Sequence, residues 1–132
     1  DYINNIQRSV AKARAAAPHA KILISGSLSV TEPDRLNSLC FINVVPNAPL
    51  GIPMPAIHRI EHVNRSNQRA AAAASRATYV EMMDPSRTHS TCAPDAYRWV
   101  AGVIDTNVPH NMGLHPTPAG SRFMAEQLAR HL

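Results

Sequence analysis

A chain of 132 residues at 45% hydrophobic content is one domain's worth of sequence and can bury a modest core. The formal net charge of +4 comes without a basic cluster and with only 5% aromatics, so the electrostatic footprint of a nucleic-acid binder is absent. No apolar run approaches the roughly eighteen residues of a membrane span; Ala70 to Ala74 is far too short and is bounded by Arg69 and Arg76.

Asp1 to Asn5 has neither a basic n-region nor an apolar h-region, and it reads as a helix already under way, as if the chain began inside a longer protein. Ile3, Ile6, Val10, Ala13 and Ala17 follow as one helical stripe, which Pro18 ends. Lys21 to Ser25 is a continuous apolar, β-branched run of the kind found in parallel strands buried on both faces. Helix, short turn and buried strand form half of a right-handed crossover. Gly26-Ser27-Leu28-Ser29 at the strand end is not a Gly-Asp-Ser-Leu nucleophile motif, because no Asp separates Gly26 from Ser27. Ser27 is expected to line a strand edge.

Residues 30 to 55 carry Pro33, Pro46, Pro49, Pro53 and Pro55 with no sustained periodicity, and are expected to be a long ordered loop. Helical patterning resumes from Ala56 to about Ser75. Within it His58-x-x-Glu61-His62 matches the zinc motif of inverted zinc peptidases. On a helical wheel His58 and His62 share a sector with Arg65 and Arg69, opposite Ile60, Val63, Asn67, Ala71 and Ala74. A solvated charged face is therefore expected, and zinc peptidase chemistry stays a remote reading. Thr78 to Met83 reads as a second buried strand, stopped by Asp84-Pro85. Ser86 to Ala96 is a loop, Tyr97 to Ile104 an apolar patch, and Asp105 to Gly113 a polar loop. Cys40 and Cys92 could be buried thiols or one disulfide. Their placement in loop sequence favours the disulfide and an oxidising compartment.

The closing stretch is the most informative. His115 stands directly before Pro116-Thr117-Pro118; Thr117 is a good N-cap, and Pro118 suits the first helical position. Gly120, Phe123, Met124, Leu128 and Leu132 then mark one face of a final helix. His115 is thus expected in a loop at a helix start, a setting that suits a neutral imidazole acting as general base.

His115-Pro116 followed by Gly120 at the mouth of a final helix resembles the last block of the SGNH (GDSL) hydrolases, a group of esterases and lipases. The order of elements agrees with the C-terminal half of a secreted member. Pro18-His19-Ala20 resembles the family's lead-in to a strand, Asn64 to Ala74 its Asn- and Ala-bearing helix, and Tyr79-Val80-Glu81 the strand that follows. Thr88-His89-Ser90-Thr91-Cys92 is similar to its Gly-His-x-x-Cys element, with Thr88 in place of glycine.

The resemblance implies a three-layer α/β/α sandwich with a parallel sheet, incomplete here, with about two strands and three helices. Residues 1–132 would form the C-terminal part of a single domain, and Cys40 would bond Cys92. It implies His115 as catalytic base in the hydrolysis of small-molecule or lipid carboxylic esters, with no metal or cofactor, in a secreted protein. Two departures stand out. The family's usual acid lies three residues before the histidine, where this chain has Met112, so the Met112 carbonyl is expected to orient the imidazole, with Asp105 and Asp95 as unsupported substitutes. The nucleophilic serine and oxyanion-hole residues have no counterpart and would belong to a missing N-terminal half, leaving this chain inactive alone. A non-catalytic α/β binding module that lost the chemistry is the alternative.

Overall fold

The computed structural model describes residues 1–109 and 111–132; His110, inside the loop expected over 105–113, lies outside the described residues. The chain is mixed α/β, as a partial SGNH sandwich should be, and among the described residues it is organised around two small sheets and three α-helices.

Helix α1 (Tyr2–Ala16) begins where the Asp1 carboxylate accepts the Ile3 N–H at 3.0 Å. The expected stripe holds for Ile3, Ile6 and Val10, but Ala13 and Ala17 are exposed. The contact face turns instead to Arg14, whose guanidinium donates to the Ser75 and Arg76 carbonyls at 3.1 and 2.6 Å. A cation there satisfies the free carbonyls that end α2 (Pro55–Ser75).

Strand β1 (Leu23–Ser25) pairs in parallel with the later strand over Thr78–Val80, matching Ile24 to Tyr79 and Ser25 to Val80. The β1 residues are half-buried rather than fully buried, since β1 has one partner strand and one free edge among the described residues.

The long loop expected between Val30 and Pro55 contains two strands, β2 (Ser38–Asn43) and β3 (Leu50–Pro53), paired antiparallel. The prolines that argued for loop are compatible with this hairpin. Pro46 and Pro49 sit in the connection, where Asn47 takes the left-handed conformation at φ 54°, and Pro53 ends an edge strand. With β4 assigned to Thr78–Val80, β5 (Ile104–Asp105) pairs in parallel with β2, giving a second sheet in the order β3-β2-β5. Its faces are inverted: Ile42, Leu50 and Ile104 form an exposed row, while Asn43 and Asp105 point inward and are buried.

The apolar core is Leu28, Val80, Met82 and Val100, closed by Trp99 and by Phe123, Met124 and Leu128 of α3 (Pro118–Ala129). Of the predicted α3 face, Leu132 lies outside the helix and is exposed. Gly120 is required by close approach, since a Cβ there would meet the Trp99 carbonyl oxygen at 2.2 Å.

Cys40 and Cys92 form a disulfide, with Cα atoms 5.1 Å apart and a sequence separation of 52. Beside it the Thr91 hydroxyl accepts the Cys40 N–H at 3.0 Å and donates to the Val30 carbonyl at 2.8 Å. The bond thus fastens the second sheet to the segment leading towards the core. Closing a loop of this length stabilises by about 4 kcal/mol from chain entropy. The double variant Cys40→Ala/Cys92→Ala should lose about 2–5 kcal/mol in urea unfolding; a loss under about 1 kcal/mol would mean the sheet is held by its hydrogen bonds alone.

Candidate active site

The loop carrying His115 is hung on the segment from Arg98 to Ala101. Val100 and Pro116 form an antiparallel bridge. The Ala101 N–H donates to the His115 carbonyl at 3.0 Å, Leu114 N–H to the Ala101 carbonyl at 3.1 Å, and Thr117 N–H to the Trp99 carbonyl at 2.8 Å. Thr117 is the expected N-cap: its hydroxyl accepts the Gly120 N–H at 3.1 Å and donates to the Arg98 carbonyl at 3.0 Å. Leu114 is left-handed, at φ 57°, a conformation costing a non-glycine residue about 1–2 kcal/mol and here bracketed by main-chain bonds.

The His115 side chain is exposed, and its Nδ1 lies 2.8 Å from the Gly113 carbonyl oxygen. This corrects the expectation for Met112, whose carbonyl accepts the His115 backbone N–H at 3.0 Å and not the ring. A carbonyl can only accept, so Nδ1 carries a proton, and in the neutral ring Nε2 then keeps its lone pair. Among the described residues no carboxylate hydrogen-bonds this ring. Asp105 and Asp95 both serve Arg98 instead, at 2.8 and 2.9 Å.

Leu114 and Pro116, on either side of His115, line a groove of about 680 Å³ with Ser27, Leu28, Ile60 and Val63. Ser27 sits just past the C-terminal end of β1, as expected for a strand-edge residue, and is exposed. Its hydroxyl accepts from Asn64 Nδ2 at 3.4 Å and Gln68 Nε2 at 3.3 Å.

The charged sector of α2 is not a solvated face. Glu61 turns inward, accepting the Val30 N–H at 2.5 Å and the Thr31 hydroxyl, while His58 Nδ1 lies 2.9 Å from that hydroxyl. Arg65 pairs with Glu81 and Asp84, and Arg69 with Glu81. Of the motif only His62 is exposed, its ring edge-on to His58 at 4.6 Å. On the opposite side Ile60 and Val63 are each about 60% exposed, while Ala71 is buried. His58-x-x-Glu61-His62 is thus a clasp between α2 and residues 30–31. Among the described residues it gathers no group of three metal-ligating side chains.

Two carboxylates titrate low. Burial pushes Glu81 up, but the Arg65 guanidinium and the Met83 N–H more than reverse it. Burial likewise opposes Asp105, and the Arg98 guanidinium, the Gly102 N–H and the Asn43 amide hold it below the usual carboxylate range. Arg98 itself lies in the stretch 97–104 that reads as an apolar patch. It is 1% exposed, with Nε and Nη2 on Asp105, Nη2 on Asp95 and Nη1 on the Ala93 carbonyl. The signal available in the sequence was a lone arginine inside an apolar run, seven residues before an aspartate.

His89 stacks on Trp99 at 3.6 Å between ring centroids, and Trp99 on Phe123 at 4.3 Å, so the loop bearing Cys92 is joined to α3.

A parallel strand pair, a groove at its strand end and a histidine in the loop feeding the last helix form the arrangement expected of part of an SGNH fold. The sequence matches the GDSL-like lipase/acylhydrolase family over residues 1–123, and the chain belongs to that family. It is 32% identical over 117 residues to "Lipase 2" of Streptomyces coelicolor, covering 86% of this chain and 36% of that protein. The chain thus spans about a third of the length of this curated relative.

Because the folded state holds Asp105 below its unfolded value near 3.9, its contribution is complete above that value and is lost as pH falls through the folded one. Asp105→Asn should cost about 3–5 kcal/mol at pH 7 and flatten the acid limb of stability. Urea midpoints of both proteins between about pH 2.5 and 7 measure this. Parallel curves would show that Asp105 does not contribute to the acid limb.

Proposed function

We propose that this chain supplies the histidine side of a serine esterase or lipase acting on carboxylic esters, with His115 as general base. The observation that carries the reading is the exposed His115 ring, with Nδ1 on the Gly113 carbonyl, no partner at Nε2 among the described residues, and its neighbours Leu114 and Pro116 lining the groove. In this reading Nε2 takes the proton of a serine hydroxyl as it attacks the ester carbonyl. It then returns the proton to the leaving alcohol. The Gly113 carbonyl orients the ring in place of an acidic side chain, leaving a Ser–His dyad.

The serine and the oxyanion hole would come from polypeptide outside these 132 residues, the missing N-terminal half of the same domain. The span of a third of Lipase 2 supports this, as do the free edge of β1 and the open face of Ile60 and Val63 along the groove. The Cys40–Cys92 bond supports a secreted, extracytoplasmic setting. One observation favours the second reading, a binding module without catalysis: no carboxylate reaches the ring among the described residues.

The test is the longer protein that includes the upstream polypeptide, treated with a serine-directed fluorophosphonate and assayed on p-nitrophenyl esters. It should label and turn over, and His115→Ala should lower kcat by about 10⁴-fold or more. Ser27→Ala should leave labelling intact, and the 132-residue chain alone should not label. A folded longer protein that neither labels nor hydrolyses would establish the binding module instead.

A further inference from the structure

We infer that the buried Arg98–Asp105 pair is the positioning element for His115, acting through the backbone of the histidine loop without touching the imidazole. The inference rests on the reading of His115 as base. Asp105 gathers the loop from inside. Its Oδ2 accepts from Arg98 Nε at 2.8 Å, Gly102 N–H at 3.1 Å and Asn43 Nδ2 at 3.2 Å; its Oδ1 accepts from Arg98 Nη2 at 3.1 Å and Asn107 N–H at 3.2 Å. Both side chains of the pair are fully buried.

These bonds close residues 98 to 105 into a loop tied at its two ends. Trp99 and Ala101, between those ends, accept from Thr117 and Leu114, and Ala101 donates to His115. The other approach to the histidine is tied to the same residue, because Asn111 Nδ2 donates to the Asp105 carbonyl at 2.8 Å. Two residues further on, Gly113 packs against Val103 so closely that a Cβ would lie 3.1 Å from the Val103 carbonyl oxygen. Gly113 supplies the carbonyl that meets Nδ1. The height and direction of that carbonyl are therefore set by a loop whose closure is the ion pair. A carboxylate behind the loop does for the ring what one in contact with Nδ1 would do directly: it fixes the Nδ1–H tautomer and the aim of Nε2.

The test uses the longer, upstream-extended protein with Asp105→Asn, well below its melting temperature. Long-range proton–nitrogen NMR of the His115 ring, assigned by its loss in His115→Ala, reports the tautomer without any need for turnover. Asp105→Asn should mix the Nδ1–H and Nε2–H forms and lower kcat by about 10- to 100-fold, the cost of a displacement of about an ångström, with KM moving less than about twofold. Asn111→Ala, which cuts the bonds from the second approach to the Asp105 and Val108 carbonyls and leaves the Arg98–Asp105 pair in place, should show the same signature more weakly, and it decides the matter if Asp105→Asn does not fold. Glu81→Gln removes an ion pair remote from this loop and should leave ring signals and kcat in place. Unchanged ring signals in a folded Asp105→Asn protein, or equal changes in Glu81→Gln, would overturn the inference. If the unaltered protein hydrolyses no ester, the esterase reading fails on its own, and the NMR comparison still tests the positioning.

Discussion

A guanidinium without access to water is the constraint on which the loop-rich half of this structure depends. Taking Arg98 and Asp105 out of solvent costs several kcal/mol per ion, and the cost is recovered only if nearly every donor and lone pair finds a partner. Here they do: each nitrogen of the Arg98 head donates, and both Asp105 oxygens accept more than once. Such a pair does little to raise net stability compared with an apolar replacement, but it tolerates one arrangement of the backbone around it. That rigidity is useful where the apolar core does not reach. The packed apolar cluster is Leu28, Val80, Met82 and Val100. Beyond it, the second sheet is held by the disulfide, by Thr91, and by the buried faces of Asn43 and Asp105.

What could be read from the sequence was local. Thr117 and Pro118 start α3 because capping chemistry involves residues within one turn of each other, and the structure agrees down to the bond from Gly120. The strand from Lys21, shortened to Leu23–Ser25, and the helix from about residue 56 were legible for the same reason. The hairpin of β2 and β3 was not, since prolines at a turn and at a strand end look identical in sequence to prolines in a loop. The second failure is more instructive. A wheel sorts residues by polarity and assumes that charge faces water, yet Glu61 and Arg65 face inward because Val30, Thr31 and Glu81 wait there with complementary groups. Those partners lie 16 to 31 residues away, and no periodicity within α2 reports them.

The orienting carbonyl of the histidine shows the same limit at the scale of one residue. Counting back three positions from His115 leads to Met112, the place of the family's usual acid. A side chain at that distance could reach the ring, but a carbonyl there is already spent on the His115 N–H. With Leu114 left-handed, the chain reverses between residues 112 and 115, and the carbonyl presented to Nδ1 is that of Gly113. Backbone sign at a single non-glycine residue decides which of two adjacent carbonyls does the work, and a leucine gives no warning of it in sequence.

Among the described residues the histidine loop is bonded on several sides to the rest of the chain. Its bonds run to Trp99, Ala101 and Asp105, and the cap of α3 closes on Arg98. If the attacking hydroxyl is carried by polypeptide beyond these residues, one side of the reaction is set before the two halves meet, and only the approach of the serine remains to be fixed by sheet pairing at the open edge of β1. A base fixed in tautomer and direction removes the reorganisation that would otherwise fall on the chemical step. A dyad oriented by a backbone carbonyl gives up the charge that a carboxylate would place beside the imidazolium. In the reading of His115 as base, the ring then depends more heavily on fixed geometry, and the Arg98–Asp105 cluster stands behind its loop.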